Sequence, residues 1–176
     1  MTEARKIIIL CLGFILCLTS LVCAESEAQL YRKAAQAAKA GRTDFAFMYY
    51  NDLGRDYPAS KYREHVLFAQ GEYYGRSLNY AESTRVFNAF IGGYPESKGR
   101  LFALAYLYTM AQHEKDEPLI ENLKKEILTF KQVGLVFKEF KEYTYRSPLY
   151  RTYKAVFRID QVEFYVGGKL FATVAY

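Results

Sequence analysis

Between residues 26 and 131 the apolar positions recur with helical spacing, and from residue 150 onward they recur every second residue. Leu67, Gly71 and Tyr74 fall at i, i+4, i+7, and Tyr80, Ser83, Phe87 and Phe90 at i, i+3, i+7, i+10. Each set traces one face of a helix. The pattern predicts helices over 26–40, 43–56, 60–76 and 79–92. A fifth begins after Pro95 with Leu101, Leu104, Ala105 and Tyr108 inward. A sixth covers 116–131, where Leu119, Ile120, Leu123, Ile127 and Phe130 form the buried stripe and Lys124, Lys125 and Glu126 the wet face. Ala34, Ala35, Ala37 and Ala38 give the first helix high propensity, and Gly41 ends it. Leu135 to Tyr145 reads as a short helix or an extended segment, with the Phe137/Phe140 spacing favouring helix. Beyond Tyr150, Tyr153, Ala155, Phe157 and Ile159 alternate with Lys154, Val156 and Arg158. Val162, Phe164 and Val166 alternate with Glu163 and Tyr165. Gly167-Gly168 then supplies a two-residue turn before a return strand with Leu170, Ala172 and Val174 inward, a hairpin signal.

The helical part carries one phrase twice: Asp56-Tyr57-Pro58-Ala59-Ser60-Lys61 and Gly93-Tyr94-Pro95-Glu96-Ser97-Lys98, 37 residues apart. A fixed period of this size marks stacked supersecondary units. The same offset pairs Tyr50 with Phe87, Leu53 with Phe90, Tyr31 with Phe68 and Ala34 with Gly71, large with large and small with small. Gly71 and Ser83 are the small positions that let two helices approach beside Phe87 and Tyr74. Pro95 cannot continue a helix. Ser60 and Ser97 are placed to N-cap the helices that follow them. The third unit lacks the Tyr-Pro-x-Ser ending, so the array is expected to stop at three units, about the minimum for a stable stack.

Leu67-x3-Gly71-x2-Tyr74, Tyr80-x2-Ser83-x3-Phe87-x2-Phe90 and Pro95 resemble the tetratricopeptide repeat pattern, with Ser83 where that pattern usually has Ala. The longer unit and its Tyr-Pro-x-Ser ending are similar to a narrower group, the bacterial envelope repeat proteins that include the outer-membrane-assembly lipoprotein BamD and CpoB/YbgF. The resemblance covers roughly residues 28–130. It implies a mainly α fold, a solenoid of about three antiparallel helix pairs, here followed by a C-terminal β-hairpin or small antiparallel sheet. It also implies a non-catalytic scaffold of the cell envelope that binds a peptide or protein in a groove lined by the first helix of each unit. The alternative it implies is a membrane-anchored accessory of outer-membrane protein assembly. The stretch 162–170 is also similar to a strand pair of bacterial immunoglobulin-like domains, over too few residues for such a sandwich.

Residues 1–24 read as a signal peptide: Arg5 and Lys6, then an apolar run from Ile7 to Val22 and a cleavage site after Ala24. The domains expected are thus 1–24, the repeat array over 25–133, and a linker helix with strands packed on the array over 134–176. Cys11, Cys17 and Cys23 are the three cysteines, so the chain after Ala24 has none and no disulfide is expected. Cys23 offers a second reading as a lipidated first residue, and an uncleaved anchor is a third, since the run approaches the ~20 residues that span a bilayer. The predicted place is the periplasm or envelope, with membrane association only through this N-terminus. Removing Arg5, Lys6 and Glu3 lowers the net charge from +5 to +4, an excess interleaved with acids, which does not argue for nucleic acid.

No catalytic constellation is legible. His65 and His113 lie in different units, no zinc spacing occurs, and no phosphate-loop or nucleophile motif is present. Asp116 and Glu117 at a helix start suit the macrodipole. The sequence therefore predicts no enzyme, cofactor or metal, and a partner that is a protein or peptide. Tyrosine, at 17 of 176 residues, suits recognition because it offers apolar area and a hydroxyl on a stiff side chain. Tyr62, Arg63, Tyr73, Arg76 and Tyr106 are the groove candidates. The C-terminal strands are expected to lay their apolar side near Leu123, Ile127 and Phe130, and to leave an edge open to β-augmentation.

Overall fold

A computed structural model describes residues 25–136, with backbone alone over 131–136, and residues 142–175. Six helices pack as three successive antiparallel pairs: α1 (Glu27–Lys39) with α2 (Thr43–Asp56), α3 (Arg63–Arg76) with α4 (Tyr80–Gly93), and α5 (Arg100–Glu114) with α6 (Glu117–Val136). The signal-peptide reading and Cys23 lie outside the described residues. Among the described residues no helix is long and apolar enough to cross a membrane.

The repeat is more regular than its one phrase shows. Each first helix ends on a left-handed residue, and these are Gly41 (φ 73°), Leu78 (φ 62°) and Lys115 (φ 58°), each 37 positions after the last. The amide of the next residue reaches back to a carbonyl in the last turn: Arg42 to Ala37, Asn79 to Tyr74, and Asp116 to Ala111, at 2.9, 3.0 and 3.0 Å. This closure satisfies carbonyls that a helix end would otherwise leave bare. Asn79 and Asp116 then accept from the third residue of the next helix, the Glu82 amide from 3.4 Å and the Leu119 amide from 3.1 Å. Thr43, Tyr80 and Glu117 open the second helices on the same period. The third unit departs only at its end. Lys131-Gln132 stand where the other units have Tyr-Pro, so nothing forbids the helix from continuing, and α6 runs on to Val136.

Ser60 and Ser97 act differently from the sequence expectation. The helices begin three residues later, behind Tyr62 and Gly99, which provide no side-chain cap. Each serine instead organises the turn, its Oγ accepting from the amide two residues on, Tyr62 at 3.1 Å and Gly99 at 3.0 Å. Pro58 and Pro95 force the chain out of the helix, and the serine closes the turn that follows.

The packing scheme holds as read. Tyr50 and Leu53 in unit one, and Phe87 and Phe90 in unit two, are fully buried. A methyl group on Gly71 would lie 2.8 Å from the Phe87 ring, and Ser83 Oγ donates to the Gly71 carbonyl at 2.8 Å. The small positions are where two helices touch.

The C-terminal part is a four-stranded antiparallel meander, β1 (Glu142–Arg146), β2 (Thr152–Phe157), β3 (Gln161–Val166) and β4 (Lys169–Ala175), in sequence order. Residues 142–146 are therefore strand; Phe137 and Phe140, whose spacing favoured a helix, lie outside the described residues. Gly167 and Gly168, both at positive φ, make the tight turn before β4. Two inward positions fail. β2 ends at Phe157, so Ile159 sits in the following turn, 96% exposed. In β4, Ala172 pairs with Phe164 and Leu170 with Tyr165, which makes Phe171 the extra residue of a bulge. The bulge turns Leu170 out to solvent and lays Phe171 against Tyr106, Tyr153 and Phe164.

The sheet's apolar side carries Tyr143, Tyr145, Tyr153 and Phe164. The aromatic rings it meets are Phe68 of α3 and Phe102 and Tyr106 of α5, at centroid separations of 4.9–6.2 Å. Leu123, Ile127 and Phe130, near which the contact was expected, belong to the same core cluster as the sheet, while the ring contacts fall on the first helices of units two and three. One core cluster joins these units to the sheet; a second belongs to unit one and includes Val66 and Ala69 of α3 and Leu149 from the β1–β2 turn.

Candidate functional site

Where the sheet stops, a cleft opens. Its volume is about 830 Å³, a size typical of ligand pockets. One wall is α1 and the start of α3, with Tyr31, Ala35, Glu64 and His65. The second is the 93–98 turn, with Tyr94, Pro95 and Lys98. The third is the end of β1 and its turn, with Tyr145, Arg146, Ser147 and Tyr150. The repeat places Tyr31 and Ala35 one helical turn apart on one face. The turn after β1 reaches them because Ser147 closes it: the Tyr150 amide donates to the Ser147 carbonyl at 2.9 Å, and the Arg151 amide to Ser147 Oγ at 3.2 Å. Leu149 plugs into the unit-one core, and Tyr50 donates from below to the Pro148 carbonyl at 3.3 Å.

The lining is aromatic with hydroxyl tips. Tyr31 stacks on Tyr62 at 3.9 Å, and its hydroxyl lies 2.7 Å from His65 Nδ1. Burial lowers the His65 pKa, so the ring is neutral near pH 7. Burial, followed by the neighbouring Tyr62 and Tyr150, raises the Tyr31 pKa, and burial also raises that of Tyr145. These tyrosines remain neutral hydrogen-bonding groups. Arg146 lies over the Tyr150 ring at 5.4 Å. Ser97 donates to Glu64 at 2.6 Å. The arrangement can bind by stacking and by neutral hydrogen bonds. Among the described residues no three His, Cys, Asp or Glu side chains are grouped to hold a metal.

Behind the cleft floor lies Glu72, with no exposed surface. Burial pushes its carboxyl pKa up to about 7. Ser147, Tyr153 and Arg151 oppose that shift. The Ser147 and Tyr153 hydroxyls act on the carboxyl group, yet neither of its oxygens completes a hydrogen bond of good geometry. The nearest cation is Arg151, with Nε 3.6 Å away. The Tyr153 hydroxyl is 2.8 Å from that of Tyr106.

The five groove candidates separate. Tyr62 and Arg63 lie beside the cleft without lining it: Tyr62 props Tyr31, and Arg63 donates toward the Gly54 carbonyl from 3.5 Å. Tyr73 fills the joint between units one and two, stacked on Phe47 at 3.9 Å and donating to Asp44. Arg76 is exposed at the end of α3. Tyr106 is buried under the sheet. Sequence reasoning missed Tyr31, Tyr145, Tyr150 and Glu72. Tyr31 had a signal, since the 37-residue offset aligns it with buried Phe68; the others depended on where the sheet folds back. No family model matches the chain, and no curated protein matches it.

Proposed function

We propose that the chain is a non-catalytic scaffold of a bacterial cell envelope that holds an extended segment of a partner protein in the tyrosine-lined cleft. The observation that carries this reading is the cleft itself, where the first-helix face of the array is left open beside unit one and edged by Tyr31, Tyr94, Tyr145 and Tyr150. Rigid aromatics with hydroxyls meet both the apolar side chains and the carbonyls of an extended peptide. Envelope location rests on Arg5, Lys6 and the apolar run that follows. The tetratricopeptide-like pattern supports a binding role over an enzymatic one.

A photo-crosslinking residue at Ala35 tests the site, with one at Arg85 on the outer face of α4 as control. The expected result is one partner segment crosslinked from Ala35 in envelope extract, competed away by a synthetic peptide of that segment, and none from Arg85. Equal yields at both positions would remove the cleft from the proposal. Cys23 favours a second reading, a lipid-anchored accessory of outer-membrane protein assembly. Mass spectrometry of the mature N-terminus separates the two, since a diacylglyceryl group on Cys23 supports the second and a free Glu25 the first.

A further inference from the structure

Among the described residues Glu72 is the charged side chain with no exposed surface, and it belongs neither to the repeat packing nor to the cleft lining. Its place in the repeat is that of Ala35 in unit one, so the helix pair does not require a carboxylate there. It lies under the turn that joins β1 to β2, and that turn supplies both Ser147 and Arg151. We propose that Glu72 is a proton-operated latch for the Ser147–Arg151 turn: protonated, it lets the turn seat on the array, and ionised, it loosens the turn.

The geometry gives the direction. A carboxylate removed from water needs several hydrogen bonds or a close cation. Glu72 has no hydrogen bond of good geometry, and its one ion-pair partner, Arg151, stays 3.6 Å away on a side chain that is 30% exposed. A neutral carboxyl group tolerates that site far better. The groups facing it are Tyr50 from α2, Arg76 from its own helix, Tyr106 from α5, Tyr145 from β1, Ser147 and Arg151 from the turn, and Tyr153 from β2. The tyrosines stay neutral because burial raises their pKa values. His65 lies two turns earlier on α3, and burial lowers its pKa. The sign follows from the raised pKa: seating is fully favoured below the ordinary carboxyl value and is lost as pH rises through about 7. Once the turn is released, water reaches the carboxylate and the linkage is relieved. Arg151 limits the loss, since it is the one cation carried by the turn itself.

The same turn is one wall of the cleft, so the latch would set how firmly a bound segment is held; that consequence rests on the peptide-binding reading. The test needs no ligand and stands apart from it. Hydrogen exchange is followed at the amides of Ser147 and residues 149–153 between pH 6 and pH 8.5, with the intrinsic pH dependence of exchange removed. Protection in the wild-type chain should fall by about tenfold or more over that range. Glu72→Gln should hold it constant. Arg151→Gln should match the wild type at pH 6 and fall below it at pH 8.5. Flat wild-type protection, or the same fall in Glu72→Gln, overturns the proposal. If Glu72→Gln does not fold, carbon-13 titration of the Glu72 carboxyl in the wild type decides: a midpoint near 7 upholds the latch and one below 5 ends it.

Discussion

Unit one and unit two share a backbone and differ in what covers it. Tyr31 and Phe68 occupy the same place on their first helices, as do Ala35 and Glu72. Tyr31 and Ala35 are half-buried and face the cleft, whereas Phe68 and Glu72 have no exposed surface because the sheet lies on them. The same offset pairs His65 of unit two, at the cleft, with Phe102 of unit three, under Tyr143, Tyr145 and Tyr153. A repeat therefore sets where a side chain points, and the rest of the chain decides whether that direction is core or surface. In this molecule the C-terminal sheet converts two thirds of the first-helix face into core and leaves the remainder as a cleft. At these aligned positions phenylalanine stands where the face is covered, and tyrosine and histidine where it meets water.

The sharpest test replaces the same repeat position in both units. Phe68 is fully buried and packs on Phe87, Phe90, Tyr145 and Tyr153. Phe68→Ala should cost about 3–5 kcal/mol in urea melts. Tyr31→Ala should cost about 1–2 kcal/mol, the loss of ring contacts with Tyr50, Tyr62 and His65 and of one hydrogen bond at a half-buried site. Equal losses would mean that the sheet adds nothing to unit two and that the comparison fails.

The small position gives the next contrast. Alanine is ordinarily preferred to glycine inside a helix by about 0.5–1 kcal/mol, yet a Cβ on Gly71 meets the Phe87 ring at 2.8 Å. That ring is held by Phe68 and Tyr106 and has little room to give. Gly71→Ala should therefore destabilise by about 1–2 kcal/mol against its propensity. Ala34, its counterpart in unit one, already carries the methyl group while fully buried, so Ala34→Gly should destabilise as well, by about 1 kcal/mol. A stabilising Gly71→Ala would show that Phe87 can move and that the contact is soft. Differential scanning calorimetry of the two variants reads both signs.

Most of the helical part was legible because its determinants are local. The apolar period, the two Tyr-Pro breaks and the small residues at 71 and 83 each act within one unit, and the second helix came out at 43–56 as read. The end of α6 was less legible, since a helix without a breaker stops where its partners stop. The sheet's place was not readable from its own strands. Tyr143, Tyr145 and Tyr153 find Phe68 and Phe102 across long stretches of chain, and alternation says only that a strand has an apolar side. The bulge at Phe171 shows the same limit, since it moves Leu170 outward with no mark in the sequence. The cleft and Glu72 both depend on that long-range docking. The groove candidates were accordingly drawn from the right helices, while the residues that line the opening come partly from the turn after β1.

The smallest effect expected lies at the left-handed closures. Gly41 serves unit one without strain, whereas Leu78 holds the same conformation at φ 62° in unit two. That conformation costs an L-residue roughly 1–2 kcal/mol, and glycine escapes it. Glycine also loses more backbone freedom on folding, about 0.5–1 kcal/mol, which offsets part of the gain. The Leu78 side chain is 71% exposed, so its removal gives up little burial. Leu78→Gly should thus stabilise by about 0.5 kcal/mol, raising Tm by roughly 1–2 °C. In unit one, Gly41→Ala should lose about 1 kcal/mol through the backbone alone, because a methyl group there meets nothing within 4 Å. A fall in Tm for Leu78→Gly would assign its side chain a packing role that outweighs its strain, and the two closures would then differ in more than the residue that occupies them.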